Sequence, residues 1–304
     1  MSKRLRIGTR DSELALWQAR RVQSLLQAGG QDAELMPVKS TGDLILDKPL
    51  YELGITGIFT KTLDVALLRK DIDLAVHSMK DVPTALPKGI VQAAVLKRAN
   101  PLDILVHKGL DFLNAEGVVA TGSLRRKAQW LHRYPLHEIV DLRGNVNTRM
   151  QKLADHGWDA AIFAAAGLER IGLLPDQFST LQWMLPAPAQ GAMMVVVREG
   201  DTHALEALSG LNDPETERCT AVEREFLREL EGGCTAPIGA LAVEEQGRIR
   251  FRGGLFSLDG ADKVLVEKDA KADAIAGFGR QCAREILDSG GGAILAAVKK
   301  SLSR

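Results

Sequence analysis

Cysteine is scarce in this chain, and the scarcity is the first constraint. Three occur, Cys219, Cys234 and Cys282, with no CxxC pair, which argues against a disulfide framework and points to a reducing compartment. No apolar run approaches the length of a membrane span. No net charge remains when 39 lysines and arginines are set against 39 aspartates and glutamates, which argues against a general nucleic-acid binder but allows local clusters of one sign. No metal-ligand spacing occurs: His132 and His137 flank a Tyr-Pro turn, and His77 and His107 stand apart, as ordinary surface or strand residues do. Residues 1–7 are basic, but no apolar core follows, so no export signal is expected. The chain also has no low-complexity segment, no residue-level repeat and no P-loop or dinucleotide fingerprint.

What is present is a globular chain of 304 residues, 45% of them hydrophobic, enough for two or three domains. Its first two thirds alternate short apolar strands, at 5–8, 33–38, 74–77, 91–96, 104–107, 118–121, 139–142 and 160–164, with amphipathic helices at 13–27, 60–69, 124–133 and 146–155. Such alternation predicts α/β layers with mainly parallel strands. The last third changes character. A helix at 214–230 precedes strands at 240–245, 249–256 and 264–267 and helices at 273–289 and 293–302, which predicts a small α+β domain with a three-stranded antiparallel sheet. Two stretches, 98–101 and 185–191, read as crossings between domains, the second leading into a strand at 193–197.

Arginine recurs where strands hand over to helices: Thr9-Arg10-Asp11-Ser12, Thr121-Gly122-Ser123-Leu124-Arg125-Arg126 and Leu142-Arg143-Gly144-Asn145, with Arg149 one turn on. Helix N-termini attract anions, arginine binds carboxylate or phosphate through a planar fork, and open α/β sheets bind ligands at the carboxyl ends of their strands. Any one of these arginines alone would read as a solvated surface residue. Three at one topological position predict a polyanionic ligand, and carboxylates fit at least as well as phosphates. Asp81, in His77-Ser78-Met79-Lys80-Asp81-Val82-Pro83, is either a turn cap or a carboxylate kept ionised beside cations, able to stabilise positive charge or relay a proton.

Cys219 and Cys282 sit on apolar helical stripes and read as buried core. Cys234 instead follows Gly232-Gly233 and precedes Thr235-Ala236-Pro237. By itself that segment reads either as a helix end that happens to hold cysteine or as a loop with room beside the sulfur.

Taken together, these segments resemble the porphobilinogen deaminases (hydroxymethylbilane synthases). The resemblance runs through Arg6–Arg10, Leu14–Gln18, Thr41-Gly42-Asp43, His77–Pro83, Gly122–Arg126, Leu142–Val146, Ala166–Arg170, Gln190-Gly191-Ala192 and Leu230–Cys234, in the family's order. It implies two periplasmic-binding-protein-like α/β domains, at 1–97 with 192–210 and at 98–191, plus a small α+β domain at 211–304. It implies a transferase that joins four porphobilinogen units head to tail with loss of ammonia, giving linear hydroxymethylbilane for tetrapyrrole and heme biosynthesis. It also implies one dipyrromethane cofactor per chain, bound through a thioether to Cys234. Asp81 matches the catalytic aspartate. Ser78, Lys80, Thr121, Ser123, Arg125 and Arg126 match contacts to the cofactor, and Arg10, Arg143, Arg149 and Arg170 match contacts to the substrate. A cytoplasmic monomer without metal, membrane or nucleic acid is expected. Departures from the family pattern are Glu52 and Thr56 where lysines are common, in the connection 42–59 expected to act as a lid, and Ala120, Ala189 and Asn147 where glycine is usual. Lys39, Lys48 or Lys61 is expected to supply any compensating charge.

Two other readings compete. A solute-binding or effector-sensing protein would also have two α/β lobes and an arginine-lined cleft. A cysteine-nucleophile hydrolase would need a histidine near Cys234, and none occurs from Asp213 to the C-terminus.

Overall fold

The computed structural model describes residues 4–38, 60–230 and 236–302. The expected lid with Glu52 and Thr56, the lysines Lys39 and Lys48, and Cys234 lie outside the described residues; Lys61 is exposed at the start of a helix. The described chain divides into two compact units, one of residues 4–38, 60–99 and 191–217, the other of residues 100–190, 218–230 and 236–302.

In the first unit, strands β1 (Leu5–Arg10), β2 (Ala33–Val38), β3 (Leu74–Ser78), β4 (Ile90–Leu96) and β10 (Met193–Arg198) form a sheet of order β2-β1-β3-β10-β4. Helix α1 (Glu13–Ala28) lays Ala19, Val22 and Leu26 on Leu5, Ile7, Leu74, Val76, Val195 and Val197, the apolar stripe that its period dictates. Helix α2 (Lys61–Leu68) buries Leu63 and Leu67. Asp73, just ahead of β3, is 1% exposed and receives Arg6 Nε at 3.0 Å and Arg198 Nη2 at 3.1 Å. Burial alone would raise its carboxyl pKa; the Arg6 and Arg198 hydrogen bonds outweigh that and hold it well below the usual range.

The second unit holds two sheets. Strands β5 (Asp103–His107), β6 (Val118–Ala120), β7 (Glu138–Val140), β8 (Ala160–Ala164) and β9 (Phe178–Thr180) take the order β7-β6-β8-β5-β9. Both faces are covered: Ile104, Val106, Ala161 and Phe163 pack with Leu153 and Leu168, while Leu105, Ala160 and Ile162 pack with Trp130 and Met184. That explains the unbroken apolar runs of β5 and β8. Strands β11 (Ile238–Glu245), β12 (Arg248–Phe256) and β13 (Lys263–Lys271) form an antiparallel meander. Its inner face, with Ala240, Ile249, Phe251 and Val266, packs on Val222, Phe226, Cys282, Ile286 and Leu295 from the flanking helices. Cys219 and Cys282 are buried there as expected. Burial pushes the Cys282 thiol up to about 11, so it stays protonated and inert.

The fold class is the expected one, α/β with a small α+β part. In each five-stranded sheet four strands run in one direction, as expected of mainly parallel strands, and one is reversed: the strand that follows a crossing, β5 or β10, runs antiparallel to its neighbours, so both sheets are mixed. The helix expected over 273–289 starts later, at Phe278, because Gly277 (φ 78°) takes a left-handed conformation at its N-cap; beyond Ile286 it passes into a π-type turn, Leu287–Gly291, broken at Gly290 (φ 102°). Short elements at Ala165–Arg170, Phe178–Thr180 and Thr202–Leu208 escaped the periodicity argument, being too short to show a period. His137 is neither a surface nor a strand residue. It is 6% exposed, accepts from Trp130 Nε1 at 3.2 Å through Nδ1, and so presents Nε2–H to the Ala115 carbonyl at 3.1 Å.

The segment 185–190 is stitched into the second unit. Pro186 O accepts from Ala240 N, and the buried carboxylate of Glu223 accepts from Ala189 N at 2.5 Å and Ala242 N at 2.7 Å. Ala189 is held at φ 62°, where a Cβ is strained. Ala189→Gly is therefore expected to stabilise the protein by about 0.5–1 kcal/mol, the relieved strain less the added freedom of the unfolded chain. Urea unfolding checks this, and a lower midpoint for the variant would contradict it.

Candidate functional site

In the first unit, the parallel pairing of β1 with β3 brings their carboxyl ends together. Gly8 lies opposite Ala75, so two residues on Arg10 is level with His77. After Ser78 the chain turns through a single 3-10 turn, Met79–Asp81, supported by a hydrogen bond from Met79 N to Ala192 O at 3.0 Å. This turn sets Lys80 and Asp81, both half-buried, just beyond the carboxyl end of β3. Gln18, buried on α1, donates Nε2 to Ser78 Oγ at 2.8 Å and fixes that hydroxyl. His77 is buried, and desolvation, reinforced by the positive charge of Arg10, pushes its pKa down to about 4. It is neutral at pH 7.

In the second unit, β6, β7 and β8 are parallel, and their carboxyl ends lie at one edge of the sheet. Beyond β6, buried Thr121 accepts from Ser123 N at 3.3 Å, and Ser123 caps helix α3 (Leu124–Arg133) through a long 3.5 Å bond from Arg126 N. Gly122 is required by close approach: a Cβ there would sit 2.8 Å from Leu142 O. Beyond β7, Arg143 is 8% exposed and its Nε is buried without a hydrogen-bond partner. Asn145 caps helix α4 (Val146–Asp155) by accepting from Thr148 N at 2.9 Å, which places half-buried Arg149 in the first turns. Beyond β8, Arg170 ends helix α5 (Ala165–Arg170); burial pushes its pKa down to about 10, against the pull of Glu169, and leaves it charged at neutral pH.

Arg125 and Arg126, expected as cofactor contacts, are buried. They are 5% and 6% exposed and share one buried carboxylate, Asp103 at the head of β5. Arg126 donates Nε and Nη2 to Asp103 Oδ1, at 3.1 and 2.8 Å, and Nη1 to Ile162 O at 3.0 Å. Arg125 uses Nη1, which forms an ion pair with Asp103 Oδ2 at 2.8 Å and donates to Leu185 O at 2.6 Å. Gln129 accepts from Leu185 N and donates to Leu185 O, clamping the same segment. Gln190 Nε2 adds a third donor to Asp103 Oδ1 at 2.8 Å and also reaches Pro101 O. Burial raises the Asp103 pKa, but Arg125 and Arg126 more than reverse this and hold the carboxyl far below the ordinary range.

Neither α3 nor α4 has an acidic residue in its first turn; both carry arginine near the positive end of the helix dipole, the reverse of the stabilising arrangement. Two guanidiniums against one carboxylate also leave a positive excess at Asp103. The edge of this sheet thus carries a local excess of positive charge. Among the described residues no group of histidine, cysteine and carboxylate side chains could hold a metal, and no helix is long and apolar enough to cross a membrane. The sequence pattern missed Asp103, Gln18 and the role of Gln190. The only signal for Asp103 was an acid at the head of an otherwise apolar strand.

A family model described as porphobilinogen deaminase, dipyromethane cofactor binding domain, matches residues 5–206, and one described as porphobilinogen deaminase, C-terminal domain, matches residues 216–288. A porphobilinogen deaminase of Rubrobacter xylanophilus is 45% identical over 303 residues, 98% of this chain and 99% of its own length. One of Syntrophomonas wolfei is 41% identical over 305 residues, 98% of this chain and 100% of its own. Among solved structures, the methionine binding protein MetQ is similar at 15% identity and a TM-score of 0.44, over 73% of this chain and 90% of its own.

The depressed pKa of His77 has a signed consequence. The unfolded state takes up its proton near the ordinary pKa of 6.5 and the folded state only near 4, so stability present at neutral pH is lost as pH falls between them, by up to about 3 kcal/mol. His77→Leu should flatten the stability profile between about pH 6.5 and 4. Urea midpoints at pH 7 and pH 4.5 decide it: equal losses in both proteins would show that another group is responsible.

Proposed function

This chain belongs to the porphobilinogen deaminase family, and on that premise we propose how its residues divide the work. Membership makes it a transferase of tetrapyrrole biosynthesis with a dipyrromethane cofactor and porphobilinogen as substrate. Each pyrrole carries two carboxylates, so cofactor and growing chain are polyanions. The residues of the second unit fit such a group: the Asp103 cluster has one positive charge in excess, and Arg143 keeps a buried N–H donor without a protein acceptor.

One cofactor per chain would be held covalently by Cys234. When bound, the dipyrromethane supplies the pyrrole on which chain growth starts. Thr121, Ser123, Arg125 and Arg126 would receive its carboxylates and fix their orientation. Ser78, Lys80 and Asp81, on the turn after β3, would hold its ring groups. Arg10, Arg143, Arg149 and Arg170 would bind the acetate and propionate groups of porphobilinogen. As ammonia leaves porphobilinogen, the ring left behind becomes an electrophile of cationic character. The carboxylate of Asp81 would stabilise that charge and accept the proton released when the new carbon–carbon bond is complete. The half-burial of Asp81 supports this, since a partly desolvated carboxylate acts more strongly on a cation than one in water.

The division into three domains, 1–97 with 192–210, 98–191 and 211–304, has the support of three sheets with separate apolar cores. A zero net charge suits a protein without a nucleic-acid partner, and a working free thiol suits the cytoplasm. We expect a monomer.

The observation that carries this reading is the positive excess buried at the strand ends of the second unit. Its test is kinetic. Arg143→Gln should raise KM for porphobilinogen about 10-fold or more through loss of one charge-assisted hydrogen bond. Asp81→Asn should lower kcat by about 100-fold with a smaller change in KM. An unchanged kcat in the Asp81 variant would remove it from the chemistry, and an unchanged KM in the Arg143 variant would remove that arginine from the substrate site.

A further inference from the structure

We infer that Asp103 is a positioning residue for the cofactor: its carboxylate, held by Gln190, sets Arg125 and Arg126 side by side so that their remaining N–H groups meet the carboxylates of the dipyrromethane. The inference rests on the reading that these two arginines bind the cofactor.

Consecutive guanidiniums at a helix start repel each other and the helix dipole. Burying both is unfavourable unless an anion sits between them. Asp103 is that anion, 0% exposed, with one oxygen on Arg125 and the other on Arg126 and Gln190. It satisfies part of each fork. Arg125 retains Nε and Nη2, since its protein bonds use Nη1 alone. Arg126 uses all three nitrogens within the protein and retains one hydrogen each on Nη1 and Nη2. The cluster of two cations and one anion is still positive by one charge, and a ligand carboxylate completes the balance. A carboxylate serving the fold alone would need one cation; here two arginines share a single carboxylate.

Gln190 makes the arrangement rigid. It lies at the end of the stitched segment 185–190, is 0% exposed, and divides its amide between Asp103 Oδ1 and Pro101 O. The same segment offers Leu185 O to Arg125. The two arginines are therefore fixed from both sides by residues that need not touch the cofactor.

The test uses the full-length protein and the rate at which bare chain gains the covalent mass excess when porphobilinogen is added, read by intact mass. Asp103→Asn keeps the shape and removes the charge. It should load roughly 10-fold more slowly, per folded molecule, than the parent chain. Arg125→Gln should load at least as slowly, and the double variant should lose less than the product of the two single effects, because Asp103 acts through the arginine. Loading of Asp103→Asn at the parent rate, or losses that multiply, would overturn the inference. Parent-rate loading of Arg125→Gln would overturn the cofactor assignment of that arginine, and the inference with it. If Asp103→Asn does not fold, Gln190→Met removes one donor from the same carboxylate and should slow loading about 3-fold; an unchanged rate there would also overturn it.

Discussion

A single buried carboxylate governs the second unit. Asp103 begins β5, receives two arginines from the first turn of α3, and is closed off by Gln190. Without it, the Arg125–Arg126 pair would place two desolvated positive charges together at the positive end of a helix. With it, the pair becomes a fixed, partly neutralised donor surface. Removing one partner of such a buried group generally costs about 3–5 kcal/mol, because the other charge is left stranded. The strand, the helix and the segment 185–190 thus depend on one another through two oxygen atoms. The first unit repeats the device. Asp73, at the head of β3, gathers Arg6 and Arg198 and joins the strands on which Arg10 and Ser78 are carried. In both units an aspartate at a strand start anchors the sheet, while the candidate site residues stand at strand ends.

The two five-stranded sheets share one plan: three parallel strands in the order second-first-third, then an antiparallel strand, then an edge strand. In each, the antiparallel strand is the one the chain enters after a crossing. This plan leaves the ends of the parallel strands free for loops that open helices, which is where the arginines, hydroxyls and Asp81 occur. The chemistry asked of the chain, repeated handling of carboxylate-rich rings, needs many weakly compensated cations, and the fold supplies them by placing arginine at helix starts where a protein selected for stability alone would place acids.

Much of this was legible in the residue pattern. Helices 124–133 and 146–155 read correctly to the residue because Ser123 and Asn145 are strong caps ahead of amphipathic runs. The third sheet was legible from its turns. The one reversed strand in each five-stranded sheet was not, because periodicity records which face is buried and not which way a neighbour runs. Nor was the break at Gly277, since the apolar period before it continues without a visible stop. The arginines read as candidate anion binders from their place in the chain, but the burial of Arg125, Arg126 and Arg143 was not legible. The partner of Arg125 and Arg126 lies 22 and 23 positions away in sequence, and nothing in a single acid before Ile104-Leu105-Val106 announces that it will be enclosed. The strain at Ala189 was visible only as a departure from a usual glycine; the backbone angle gives the reason.

On the proposed reading, this chain carries a covalent polycarboxylate on Cys234, held by the buried arginines. The intact mass of the purified protein, beside that of a Cys234→Ser variant, tests it most directly. The account predicts an excess equal to two linked pyrrole units on the parent chain, present as isolated or after incubation with porphobilinogen, and none on the variant. A bare mass that porphobilinogen does not change, or an excess that persists without the Cys234 thiol, would contradict it.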